Sequence, residues 1–258
     1  RLGGLASTVL WPVGHALSGA LGWRGALVVY AALALMMVPL NWSIPDRRHD
    51  AKAGGGPAEA APAALSPGDH VVAAGLYLVL FTLTAFLSSG LAAHMIGILS
   101  GLGMAAGLAV WISTLRGIGQ TAARVCEVAF GGRLSPLALG LLATAVLPLS
   151  FFVGLQGGES ILAGAAFALV YGAGNGLLTI ARGAQPLVLF DHRVYGALVG
   201  KLTAPGFFAS AIAPIVYSGV IEALGDAAAL WFSAALGGIA LACAALLWWR
   251  YRHRAAKS

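Results

Sequence analysis

A chain of 258 residues that is 59% hydrophobic and 9% charged lies far from the soluble norm of about 25% charged, which excludes an ordinary water-soluble enzyme. Its formal charge of +6 sits in short connections and a tail between long apolar runs, so topology explains it and nucleic-acid binding does not. The runs show no strict alternation, which excludes a barrel and leaves an all-α polytopic membrane protein, with abundant glycine suited to close helix packing.

The absence of Met at Arg1, followed at once by an apolar run, reads as the cut edge of a longer chain. A first span over 2–21 places Thr8, Trp11, His15 and Ser18 on one face and should kink at Pro12. A short turn at Gly22–Arg24 leads to a nearly uniform second span over 25–42, with Trp42 at an interface. Residues 44–69 are rich in Gly, Pro and Ala without periodicity and read as a linker.

A third span, 70–98, carries Tyr77, Thr84 and Ser88 on one face, with a break expected near Ser88-Ser89-Gly90. The central span ends at Gly131-Gly132-Arg133, and Pro136 opens an apolar fifth span to about Leu155. A sixth span, 160–182, aligns Tyr171, Asn175, Thr179 and Arg182, and a basic connection follows it. The seventh, 194–224, holds Lys201, Thr203, Pro205, Ser210 and Pro214; the eighth, 227–249, is nearly pure hydrocarbon. Trp248, Trp249 and Tyr251 beside the RYRHR tail read as an interfacial anchor. Cys126 and Cys243 both fall in apolar runs, which argues against a thiolate metal site.

The central span is the informative one. In GMAAGLAVWISTLRGIGQTAARVCEVAFGGRLSP, Arg116, Gln120, Arg124 and Glu127 project at about 0°, 40°, 80° and 20° around a helix, a single polar stripe. An Arg near a bilayer centre costs about 2.5–3.5 kcal/mol on the mildest scale, so the stripe must face protein or water. Two readings of Arg124 stay open: a binding residue, or a staple paired with Glu127.

The lopsided distribution of Lys and Arg puts residues 44–69 and the C-terminus on the cytoplasmic side, and this count includes Arg182 at the end of its span. After the linker the polar character of the spans repeats with a period of three, as two three-helix units of an inverted repeat would require. Gln120, Arg124, Tyr171 and Asn175 should then share an interior, with the spans over 25–42, 137–155 and 227–249 on the periphery.

The stretches GWRGAL, AHMIGILSGLGMAAGLAVWISTLRGIGQTAARVCEVAFGGRLSP and DHRVYGALVGKLTAPGFFASAIAP resemble the major facilitator superfamily, in particular the bacterial branch related to monocarboxylate and oxalate/formate carriers. The resemblance implies a carrier fold lacking its first four helices here. Its parts would be the last two helices of the N-terminal bundle (1–43), a cytoplasmic linker (44–69), a complete six-helix C-terminal bundle (70–250) and a basic tail (251–258) in a bacterial inner membrane. In that branch the positions of Arg124 and, in some members, Lys201 are associated with carboxylate binding. Gln120 stands where monocarboxylate carriers place an acid, so proton coupling through that position is not implied. GGRLSP lacks the Asp usual in the superfamily's loop motif.

The expected function is secondary transport of a small solute, an organic anion, by alternating access, with no cofactor and no catalytic residue. Arg116, Arg124 and Lys201 would supply charge, and Tyr77, Gln120 and Asn175 neutral hydrogen bonds. Two alternatives stand beside it. A lipid-modifying intramembrane enzyme lacks HExxH or paired intramembrane carboxylates, and a non-transporting remnant would lack half of a cavity.

Overall fold

The computed structural model describes residues 3–43, 66–130, 134–190 and 195–255, and among them all regular structure is helical. There are seven helices: α1 (Gly3–Trp42), α2 (Pro67–Gly101), α3 (Ala106–Phe130), α4 (Pro136–Gly154), α5 (Ile161–Leu189), α6 (Tyr195–Leu224) and α7 (Asp226–Ala255). The chain divides into two units, Arg1–Ala60 with α1 and Ala61–Ser258 with α2 to α7. Most of the expected linker (44–65), the end of the tail (256–258), Gly131–Arg133 and 191–194 lie outside the described residues.

α1 carries both of the first two expected spans, and its backbone leaves the helical region between them at Gly22, with φ of 71° and ψ of 169°, inside the turn expected at Gly22–Arg24; at Pro12, where a kink was expected, the backbone stays helical. Glycine suits that left-handed region because it carries no Cβ to clash. The side chains of Thr8, Trp11, His15 and Ser18 lie outside the described residues. Among the described residues six helices are long and apolar enough to cross a bilayer, the first of them covering Gly19–Leu40. α3 is not one of the six: at about 37 Å it has the length, but its polar stripe lowers its hydropathy.

Three other boundaries differ from expectation. α2 runs unbroken through Ser88-Ser89-Gly90, because these small residues serve a helix contact: Gly90 seats the ring of Tyr217 from α6. α5 continues beyond Arg182, through Pro186, to Leu189. α7 absorbs most of the basic tail, and Tyr251 is not an interfacial anchor. It is buried, and its hydroxyl donates to the Asp69 carbonyl at 2.9 Å. The starts of α2, α4 and α5 follow local rules, with Ser66, Ser135 and Ser160 each accepting a backbone N–H at the N-cap.

Packing in the second unit has an internal symmetry. α2 packs on α6 and α7, α5 packs on α3 and α4, and α4 packs on α7. Exchanging the triplet α2–α3–α4 with α5–α6–α7 maps α2–α6 onto α3–α5, α2–α7 onto α4–α5, and α4–α7 onto itself. The residue pairs fix the directions. α3 and α5 run parallel, since Arg116 meets Gly172 and Gln120 meets Gly176. α2 and α6 are parallel as well, with Ser89 bonded to Ser210 and His94 to Pro214. α2 and α5 run antiparallel, Tyr77 meeting Arg182 and Ser88 meeting Asn175. The core between them is aliphatic and aromatic, with Phe81, Phe151, Phe167, Tyr171 and Tyr217 among its buried rings.

Candidate functional site

The site is a polar seam between α2, α3 and α5, and glycines make it possible. A Cβ on Gly172 would overlap the Arg116 carbonyl, and one on Gly176 would overlap that of Gln120. With only hydrogen there, α5 rests directly on the α3 backbone at the two residues that open the polar stripe. A third glycine, Gly174, turns toward α4, so α5 is narrow on two sides.

Along the seam each polar side chain of α5 has a defined neighbour. The Tyr171 hydroxyl donates to the Leu87 carbonyl at 3.3 Å, and the Arg116 charge lies within electrostatic reach of the same hydroxyl. Asn175 Nδ2 donates to Ser88 Oγ at 3.0 Å. One turn on, Thr179 Oγ1 accepts from Arg124 Nε at 3.2 Å and donates to the Gly176 carbonyl at 2.6 Å. At the C-terminal end, the Arg182 carbonyl accepts from the Tyr77 hydroxyl at 2.8 Å. The Arg182 guanidinium lies over the Phe81 ring, 5.5 Å from its centroid.

That last hydrogen bond has a simple cause. In a helix the carbonyl of Arg182 would accept from the N–H of residue 186, but Pro186 has none. Tyr77, fully buried, supplies the missing donor. α6 repeats the device: Pro214 cannot serve the Ser210 carbonyl, and Ser89 Oγ donates to it at 2.7 Å. α2 thus satisfies the orphaned carbonyl of a proline in each of two neighbouring helices.

The sequence-derived candidates separate as follows. Arg116, Gln120, Arg124, Tyr77 and Asn175 all lie on the three helices that form the seam. Arg116, Gln120 and Arg124 are half-buried, and Tyr77 is there as a backbone partner. Lys201 is exposed on α6, which packs chiefly on α2 and to a lesser extent on α7. The staple reading of Arg124 fails: the one ion pair between described residues joins Asp69 and Arg250 at 2.8 Å, and Arg124 bonds Thr179 and not Glu127. Arg182, read from sequence as a helix-end charge, lies inside α5 with its Nε buried and without a hydrogen-bond partner.

Chemically, the seam offers guanidinium groups that pair with no carboxylate among the described residues, flanked by an amide, hydroxyls and aromatic walls. Such a set favours an anion with planar, paired acceptors. Burial within apolar helices raises what each charge-assisted hydrogen bond contributes. Compared with known proteins, the chain matches no family model and no curated sequence.

Proposed function

We propose that the protein is a secondary transporter of a small organic anion, of the major facilitator type, and that the seam between α2, α3 and α5 holds the anion. The observation that carries this reading is Arg124. It is a half-buried cation on a helix packed among apolar ones, positioned through Nε by Thr179, with no carboxylate partner among the described residues. An uncompensated guanidinium in such surroundings is costly unless a ligand completes it.

The two exchangeable triplets support the same reading, since inverted repeats with polar helices at their interface are a recurrent transporter plan. Arg116, Gln120 and Asn175 lie on the seam helices N-terminal to the Arg124–Thr179 contact. Lys201 enters through the family resemblance. The charge distribution supports a cytoplasmic C-terminus, and the family resemblance a bacterial inner membrane.

The test is uptake of labelled oxalate, formate, lactate and glucose by the full-length protein in proteoliposomes. Anion uptake should exceed glucose uptake. Arg124→Gln should reduce it by the equivalent of about 2–5 kcal/mol, and Arg124→Lys should recover only part, because an ammonium does not reproduce the guanidinium fork. A wild type that moves only glucose, or an Arg124→Gln variant with unchanged anion uptake, overturns the proposal.

A further inference from the structure

We infer that Arg182 is a second anion-binding cation, acting with Arg124; this rests on the transport reading above. Three observations converge on it. The side chain Nε is buried with no hydrogen-bond partner, so one of its five donors is withheld from water and unmatched by protein. No carboxylate pairs with it among the described residues. The Phe81 face, 5.5 Å from the guanidinium, accounts for the position of the charge without satisfying a donor.

The location joins it to Arg124. Thr179, which Arg124 touches, stands three residues before Arg182 on α5, and such pairs are surface neighbours about 5–6 Å apart at Cβ. Arg116 and Arg124, by contrast, are separated by about 12 Å along α3. Arg182 also shares its face with Asn175 and Tyr171, at spacings of 7 and 11 residues, so it continues the seam toward the C-terminal end of α5. The carbonyl of the same residue is fixed by Tyr77, which holds the backbone in place while the side chain stays available. Two guanidinium groups reaching one seam from α3 and α5 match a carboxylate held from two sides.

The experiment measures KM and kcat for the best-transported anion among oxalate, formate and lactate, using the full-length protein in proteoliposomes. The set is wild type, Arg124→Gln, Arg182→Gln, Arg182→Lys and, as a charge control remote from the seam, Arg252→Gln. Melting temperature in detergent, with and without the anion, is read on each. Arg182→Gln should raise KM at least about tenfold and abolish the anion-dependent rise in melting temperature. Arg182→Lys should recover part of the KM, while Arg252→Gln matches wild type. If Arg124→Gln is impaired but Arg182→Gln keeps the wild-type KM and anion-dependent stabilisation, this inference falls and the transport reading stands. An Arg182→Gln variant that melts lower yet keeps its KM shows a packing role and also overturns it. A wild type that transports none of the anions removes both.

Discussion

Tyr77 shows how a residue can be found from sequence without its partner. Its position on a polar face of an apolar helix suggested a hydrogen bond to solute; the structure adds a donation from its hydroxyl to the Arg182 carbonyl. The signal was in the sequence, four residues beyond Arg182, because any proline inside a helix leaves the carbonyl one turn earlier without its N–H. Tyr77→Phe should therefore destabilise the protein by about 1–3 kcal/mol, the range for an unsatisfied buried polar group. In a Pro186→Ala background residue 186 regains its N–H, and the same Tyr77→Phe change should lose most of its effect. A double-mutant cycle read by reversible unfolding in mixed micelles measures this coupling; equal penalties in both backgrounds contradict the account. Ser89→Ala, which frees the Ser210 carbonyl, should act in the same direction and more weakly, at about 0.6 kcal/mol, the usual size of such membrane hydrogen bonds.

Among the elements, the boundaries that local chemistry sets were legible: α4 opens at Ser135-Pro136, α7 at Asp226 and α6 closes at Leu224. The ends of α5 and α7 were not, since Pro186 and the basic tail look like terminators but are carried on by contacts made elsewhere. Gln185, buried, donates to the Pro136 carbonyl, and Arg250 and Tyr251 bond Asp69. The polar stripes of α3 and α5 were visible by spacing, and the repeat of polar spans implied that they share an interior. Their residue-by-residue contact was not legible, because nothing in an apolar sequence says which face lies against which neighbour; the glycines at 172 and 176 make that choice by admitting backbone. Gly176→Leu should separate α5 from α3 and lower stability and uptake together, by a few kcal/mol as overpacking does. Gly219→Ala, at a position with open space around it, should be neutral or slightly stabilising. Melting temperatures of the two variants decide the point, and a tolerated Gly176→Leu would mean that the close contact is not needed.

At the scale of the six-helix unit, the start of α2 and the end of α7 are held together. Asp69 Oδ1 accepts from Arg250 Nη2 at 2.8 Å and Nε at 3.1 Å, and its other carboxylate oxygen accepts from Ser66 at 2.8 Å. The pair is partly exposed and contributes little, so Arg250→Ala should lower the melting temperature only slightly. Its geometry is the more informative part: both ends must lie on one face of the membrane. Cysteines introduced at Gly68 and Arg252 should accordingly share their sidedness, and the proposed topology puts that side in the cytoplasm. An impermeant thiol reagent labelling either one from outside intact cells would contradict it.

That closure bears on connectivity. With α2 beginning where α7 finishes, and the principal contacts of the two triplets corresponding, those contacts do not depend on which triplet is read first along the polypeptide. A circular permutant joining the segment after Arg252 to Ser66 through a short linker, and opened in the turn at Gln156–Gly158, would keep every interhelical contact of the unit while exchanging the order of its halves. Near-native melting of such a permutant would show that chain order is a matter of biosynthesis here, and that the packed bundle itself is indifferent to it.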